Sequence, residues 1–221
     1  MSDKRITLFV GHYGSGKTNI AVNYAKLLKS RGASVVIADL DIVNPYFRTK
    51  DSEKELEQAG IRLVCSEYAN SNVDIPALPS ELYSITVDKS SCAVLDIGGD
   101  DRGALAIGRL APAIVEENSY DMLFVANCYR PLTRTAQDAL EVIREIERAA
   151  GLRMTGLVNN SNLGGMTTWQ IIKDSAGFIS ELSDISGLPI KFTSADIRLK
   201  GEAEAEDFNN IFYMDLQKKI F

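Results

Sequence analysis

Short apolar runs alternate with stretches of helical spacing along the whole chain. The runs that predict strands are Arg5 to Val10, Ser34 to Ala38, Ile61 to Cys65, Cys92 to Leu95, Met122 to Ala126, Thr155 to Val158 and Ile190 to Phe192. Between them apolar residues recur every three or four positions, which predicts helices over Asn19 to Lys29, Glu53 to Ala59, Leu105 to Glu117, Thr135 to Ala150 and Thr168 to Ser186. A last helix is expected over Glu202 to Ile220, where Phe208, Ile211, Phe212, Leu216 and Ile220 form an apolar stripe that docks on the sheet. Strands alternating with helices predict an α/β fold in three layers, α/β/α, around a mostly parallel sheet of about seven strands. Tyr68 to Ser90, with Pro76 and Pro79, has weak periodicity and reads as an inserted loop with a short helix near Glu81. Such loops serve partners or substrates, or are plain crossover connections.

Bulk composition narrows the function classes. A chain of 221 residues, 45% apolar and 24% charged, suits one globular domain spanning 1–221 rather than two domains or a disordered chain. Its net charge of −6 argues against a broad nucleic-acid footprint. The cysteines Cys65, Cys92 and Cys128 form no C-x-x-C pair, and the one histidine is His12, so a zinc or iron–sulfur site within one chain is not expected. Cys92 lies in an apolar run and reads as core filler. The start Met1 to Arg5 leads straight into the first strand, and no apolar run reaches membrane-spanning length, so the expected location is cytoplasmic.

The chemistry enters at Gly11-His12-Tyr13-Gly14-Ser15-Gly16-Lys17-Thr18, which satisfies every place of the phosphate-binding pattern G-x-x-x-x-G-K-[ST]. It stands between a predicted strand and a predicted helix, the context the motif requires. Gly11, Gly14 and Gly16 let the backbone turn tightly and bring N–H groups, with those of Ser15 and Asn19, close to phosphate oxygens. Lys17 would reach the β- and γ-phosphates, and the Thr18 hydroxyl would hold Mg²⁺. A dinucleotide site would need G-x-G-x-x-G, and from Gly14 the third glycine place holds Asn19. In open parallel sheets ligands bind at the carboxyl ends of strands, where two acidic places stand out. These are Asp39 with Asp41 after the second strand, and Asp96 after Cys92-Ala93-Val94-Leu95.

With GHYGSGKT at 11–18, ADLDIVNP at 38–45, VLDIGG at 94–99 and GLVNN at 156–160, the chain resembles the MinD/ParA-type P-loop NTPases. That class also holds the nitrogenase iron protein and the CobQ/CobB nucleotide-binding domains. The resemblance implies a Mg²⁺-associated role for Asp39, a switch carboxylate that positions the hydrolytic water at Asp41, and a water-mediated magnesium contact at Asp96. It also implies that the Gly99 N–H senses the γ-phosphate, that Asn159 bonds the base, and that the loop Thr193 to Asp196 closes over that base. Asn159-Asn160-Ser161-Asn162 stands where a guanine signature N-K-x-D would be, which favours ATP over GTP. His12 replaces the signature lysine of the dimer-forming members, and a shorter, largely neutral side chain cannot deliver the same fixed charge across a homodimer. No cysteine follows Asp96 to hold the iron protein's cluster. MinD binds membranes through a terminal amphipathic helix; here Lys218 and Lys219 sit among Glu202, Glu204, Glu206, Asp207 and Asp215, a poor match to anionic lipid.

Two segments read either way. Asn44 to Arg48 suits a partner surface responsive to the γ-phosphate, or packs its rings on the adjacent helix. Gly164 to Trp169 is a mobile segment near the base, or a helix start capped by Thr167 with the only Trp packed inward. The expected function is a Mg²⁺-dependent ATP-binding protein that hydrolyses slowly as a switch for a protein partner. A kinase acting on a small molecule or polynucleotide, with Arg102, Arg109, Arg130 and Arg134 as candidate lid cations, and a non-hydrolysing adaptor are the alternatives.

Overall fold

The computed structural model describes residues 4–40, 49–65, 80–98, 101–202, 208 and 210–216. Among the described residues eight strands form one sheet: β1 (Ile6–Val10), β2 (Val35–Leu40), β3 (Arg62–Cys65), β4 (Cys92–Ile97), β5 (Tyr120–Ala126), β6 (Gly156–Asn159), β7 (Ile190–Asp196) and β8 (Ile211–Met214). Their order is β3-β2-β4-β1-β5-β6-β7-β8, and every pairing is parallel. Parallel strands need crossover connections, and eight helices among the described residues provide most of them. They are α1 (Lys17–Ser30), α2 (Glu53–Gln58), α3 (Ser80–Val87), α4 (Asp101–Gly108), α5 (Ala111–Glu117), α6 (Ala136–Ala150), α7 (Trp169–Asp174) and α8 (Ala176–Ser186).

Strand parity divides the core into two layers. Ile6, Leu8 and Val10 of β1, with Val36, Ala38 and Leu40 of β2, join the cluster that includes Leu82 of α3, Ile107 of α4 and Ile143 of α6. Phe9, Val35 and Ile37 belong to the opposite layer, packed with Ile20, Ala21 and Tyr24 of α1. The chain therefore has the three-layer α/β/α architecture expected, with one more strand than about seven.

That additional strand overturns the expected terminal helix. Ile211 to Met214 is a run of consecutive apolar, β-prone residues, and it pairs with Thr193 to Asp196. Phe212 and Met214 face the α1 layer, with the Phe212 ring 6.3 Å from Tyr24 and 5.2 Å from Phe192. Ile211 and Tyr213 pack on the other side with Trp169, whose ring also stacks on Phe208 at 5.3 Å. Period-two burial on both faces explains the strand, which the 3.6-residue stripe misread. Residues 203–207, 209 and 217–221, which complete that predicted helix, lie outside the described residues.

Two helices expected to be continuous are broken. The helix over Leu105 to Glu117 divides at Arg109-Leu110 into α4 and α5, with Pro112 in the first turn of the second. Proline lacks the N–H that would continue the ladder to Gly108, so it begins a helix rather than sitting inside one. The helix over Thr168 to Ser186 divides at Ser175. By contrast α6 starts as expected, its Thr135 and Asp138 forming a reciprocal capping box. The helix near Glu81 is α3, while residues 68–79 of the inserted loop lie outside the described residues.

Arg5 closes the far end of the sheet. Its guanidinium pairs with Glu117 at the end of α5 and donates to the carbonyls of Ile85 (2.9 Å) and Ser91 (3.0 Å). The Arg5 hydrogen bonds hold the Glu117 carboxyl below its usual range. A lowered folded-state pKa adds stability above the ordinary carboxylate range that disappears as pH falls through the lowered value. Glu117→Gln should thus destabilise the protein by about 1 kcal/mol at neutral pH, screening included, with the difference closing in acid. Denaturant unfolding of both proteins across that pH window is the check.

Candidate functional site

The phosphate loop leaves β1 at Gly11, beside the central strands where crossovers depart to either side. Gly11, Gly14 and Gly16 all have positive φ, at 147°, 75° and 90°. A Cβ on Gly11 would lie 2.6 Å from the Val125 carbonyl, and one on Gly16 would overlap the Asn160 amide. Two of the three glycines are therefore required by close neighbours as well as by the turn. Gly16 ends the loop and α1 begins with Lys17 and Thr18, both buried. Lys17 Nζ donates to the His12 carbonyl at 3.2 Å, lying back across the loop. Ser15 is 0% exposed, and its Oγ has no hydrogen-bond partner among the described residues. A buried orphan hydroxyl in a loop of positive-φ glycines fits an anion that would complete its bonding, while the Ser15 N–H itself donates to the His12 carbonyl at 3.1 Å.

The acids arrive by register. Asp39 and Asp96 are opposite residues on adjacent β2 and β4, and Phe9 of β1 is opposite Asp96 in turn. Their neighbours Ala38, Leu40, Leu95 and Ile97 belong to the α3–α6 layer, so alternation turns both carboxylates to the α1 side, where Lys17 and Thr18 lie. Both expected positions followed strands; in the structure both acids are the penultimate residues of longer strands. Asp96 is 0% exposed and its Oδ2 accepts from the Thr49 hydroxyl at 3.0 Å. Thr49 is itself fully buried and was not anticipated, because nothing in its local pattern marks it. Asp41, Gly99 and the 44–48 segment lie outside the described residues.

Of the expected base-side residues, Asn159 sits in a buried polar cluster, while Thr193 to Asp196, expected as a loop closing over the base, is the second half of β7 and pairs with β8. Asn159 Nδ2 donates to Ser175 Oγ at 2.9 Å and its Oδ1 accepts from Ser161 N at 3.2 Å. Ser175 stands at the break between α7 and α8, its Oγ accepting from Asn159 while donating to the Ile172 carbonyl at 2.7 Å. Asp196 caps the turn at Ile197–Leu199 and its carboxylate holds Arg198 at 2.6 Å, which raises the arginine's pKa further. Asn162 caps its own loop, accepting from Gly164 N at 3.0 Å and donating to the Asn160 carbonyl at 2.8 Å. Asn19 occupies the first turn of α1, half-buried. The cap of α7 is Thr168 rather than Thr167, whose hydroxyl instead braces the Leu163–Gly164 turn, while Trp169 packs inward.

Of the arginines, Arg130 comes to the loop, its Nε donating to the Gly14 carbonyl at 2.8 Å. Arg109 and Arg134 are exposed on the surface, and the side chain of Arg102 lies outside the described residues. Cys92 is half-buried within β4, as are Cys65 and Cys128 in their places.

A glycine loop between a strand and a helix, at the switch point of a parallel sheet, defines a P-loop nucleotide-binding protein. The family described as the CobQ/CobB/MinD/ParA nucleotide binding domain matches residues 6–168, and the chain belongs to it. Solved structures with a similar fold include the cell division protein FtsY of Thermotoga maritima, with a TM-score of 0.61 and 17% identity over 88% of this chain. Chloroplast FtsY of Physcomitrella patens follows at 0.58 and 19% over 87%. The signal recognition particle 54 kDa protein of Aeropyrum pernix, in complex with GDP, gives 0.52 and 16% over 86%. The chain spans 62%, 59% and 41% of those three chains, and at such identities the likeness is one of fold. No curated protein matches the sequence. Among the described residues no helix is long and apolar enough to cross a membrane.

Gly16→Ala tests the packing of the loop. A side chain held at positive φ costs about 1–2 kcal/mol, and here it must also displace a buried amide. The variant should lose about 2 kcal/mol or more of unfolding free energy. An unchanged melting curve would contradict the close fit between Gly16 and Asn160.

Proposed function

We propose that the protein is a Mg²⁺-dependent ATP-binding switch that hydrolyses ATP slowly and changes shape for a protein partner in the cytoplasm. The observation that carries this reading is the convergence of Lys17, Thr18, Asp39 and Asp96 on the α1 side of the sheet. Lys17, resting on the His12 carbonyl, would transfer to β- and γ-phosphate oxygens and neutralise charge as the terminal phosphoryl group moves. The loop N–H groups from Gly11 to Thr18 and the orphan Ser15 hydroxyl would hold the remaining oxygens. Thr18 would hold Mg²⁺ directly, and Asp39 and Asp96 through its waters, a sparse protein set of the kind this ion accepts. Bound Mg²⁺ would supply charge neutralisation on the phosphoryl oxygens. Asp41 would orient the attacking water and Gly99 would sense the γ-phosphate; both roles rest on sequence resemblance. Asn159 and Asp196 would border the base.

Adenine is favoured because Asn162, an amide tied into its own turn, stands where a guanine-reading carboxylate would be. The GDP-bound state of one fold relative supports the guanine alternative. A kinase reading draws on Arg130 at the loop, since a cation there could steady a transferring phosphoryl group. The non-hydrolysing adaptor remains the third reading. A homodimer would lack the charge of the signature lysine, because His12 takes that place.

Competition against a fluorescent nucleotide should show ATP displacing the probe at lower concentration than GTP, and equal displacement would reject the adenine assignment. Turnover assays with and without a candidate hydroxyl acceptor separate hydrolase, kinase and adaptor. Lys17→Ala should lower turnover about a hundredfold or more. Asp41→Asn should keep nucleotide affinity while losing about a hundredfold in hydrolysis, as expected for a lost water-orienting carboxylate.

A further inference from the structure

Asn160 stands next to the proposed base contact but has no role in the reading above. It is 2% exposed, and all of its polar groups are engaged. The side-chain Nδ2 donates to the Ser15 carbonyl at 2.5 Å, and Oδ1 accepts from Ser194 Oγ at 2.5 Å. Its backbone N–H donates to the Ala126 carbonyl at 2.8 Å, and its own carbonyl accepts from Asn162 Nδ2 at 2.8 Å. The amide orientation follows from these partners, because the reversed amide would set Oδ1 against the Ser15 carbonyl, acceptor against acceptor.

A loop that aims its N–H groups inward at an anion must turn carbonyls outward. An outward carbonyl in a buried place needs a donor, and leaving it without one costs about 1–3 kcal/mol. Ser15 is fully buried, so Asn160 serves its carbonyl, while Arg130 serves that of the neighbouring Gly14 from the half-exposed side. The same Asn160 amide occupies the space that a side chain on Gly16 would take. The Ser194 hydroxyl, whose one proton is committed to Asn160 Oδ1 at 2.5 Å, also lies 3.2 Å from the Asn159 carbonyl, which sets it between the ends of β6 and β7.

We propose that Asn160 is a positioning residue for the phosphate loop, held in orientation by Ser194 and keeping the Ser15 carbonyl outward so that the loop N–H groups are aimed before nucleotide arrives. The proposal rests on the nucleotide-site reading above, and it adds a link from the end of β7, where Asp196 sits, to the phosphate end of the site. A preformed loop avoids an ordering cost on binding, and removing one donor returns that cost.

Asn160→Asp tests it with little change of volume, replacing the donor to Ser15 by an acceptor. Ser194→Ala is the milder variant, which keeps Nδ2 but releases its orientation. The first measurement is amide hydrogen exchange in nucleotide-free protein, comparing the 11–18 loop with β1 and β5. The second is competition binding with ATP and GTP. In Asn160→Asp the loop amides should exchange about tenfold faster or more, with β1 and β5 unchanged, and affinity should fall about tenfold. Ser194→Ala should give a smaller change in the same direction, and combining the two should add little, as for residues acting in series. Unchanged loop exchange in folded Asn160→Asp, or acceleration spread evenly over the core strands, would overturn the proposal. If Asn160→Asp does not fold, unchanged loop exchange in Ser194→Ala overturns it equally. Wild-type protein that binds neither nucleotide would instead refute the nucleotide-site reading, while the exchange comparison would still decide the role of Asn160.

Discussion

Aiming several backbone N–H groups at one point leaves several carbonyls facing the other way, and the structure of this protein depends on how they are satisfied. The loop from Gly11 to Thr18 serves its His12 carbonyl from within, through Ser15 N–H and Lys17, but its glycines contribute no side chains for the others. Lys17 reaches back to the His12 carbonyl, Arg130 comes from the turn after β5 to Gly14, and Asn160 comes from the end of β6 to Ser15. These last donors come from strands distant in sequence and adjacent in the sheet. The loop is thus a product of sheet order as much as of its own glycines.

The parallel sheet has a second consequence. With all strands running the same way, their carboxyl ends lie along one edge, and strand parity decides which side of it each residue serves. Asp39 and Asp96 share register and parity, so two acids separated by more than fifty residues in sequence stand side by side. The Thr49 hydroxyl on Asp96 brings a residue distant in sequence to that carboxylate. The Asp96–Thr49 hydrogen bond offsets part of the cost of burying both groups, and burial keeps the candidate metal acids from relaxing into water.

Where local pattern and structure disagree, two of the differences coincide with longer-range contacts and one with a local signal. The helical stripe breaks at Ser175, whose hydroxyl accepts from Asn159 on the neighbouring strand. The 211–214 run has spacings that suit a helix in isolation, yet Tyr24 and Phe192 on one side and Trp169 on the other make a strand bury more. Pro112 was a local signal for the break between α4 and α5, outweighed by the apolar periodicity around it.

The sequence by itself determined the layered α/β class, the phosphate loop with Lys17 and Thr18, the two acidic strand ends and the family to which residues 6–168 belong. These are local properties: hydrophobic period, glycine spacing and the residue at the end of an apolar run are all readable within a dozen positions. Only the tertiary structure decided that Asn160 and Arg130 hold the loop, that Thr49 reaches Asp96, and that the chain adds an eighth strand. Each of those depends on which strands become neighbours. Sheet order is set by the burial of whole faces rather than by any one segment, so it leaves no mark in the segments themselves.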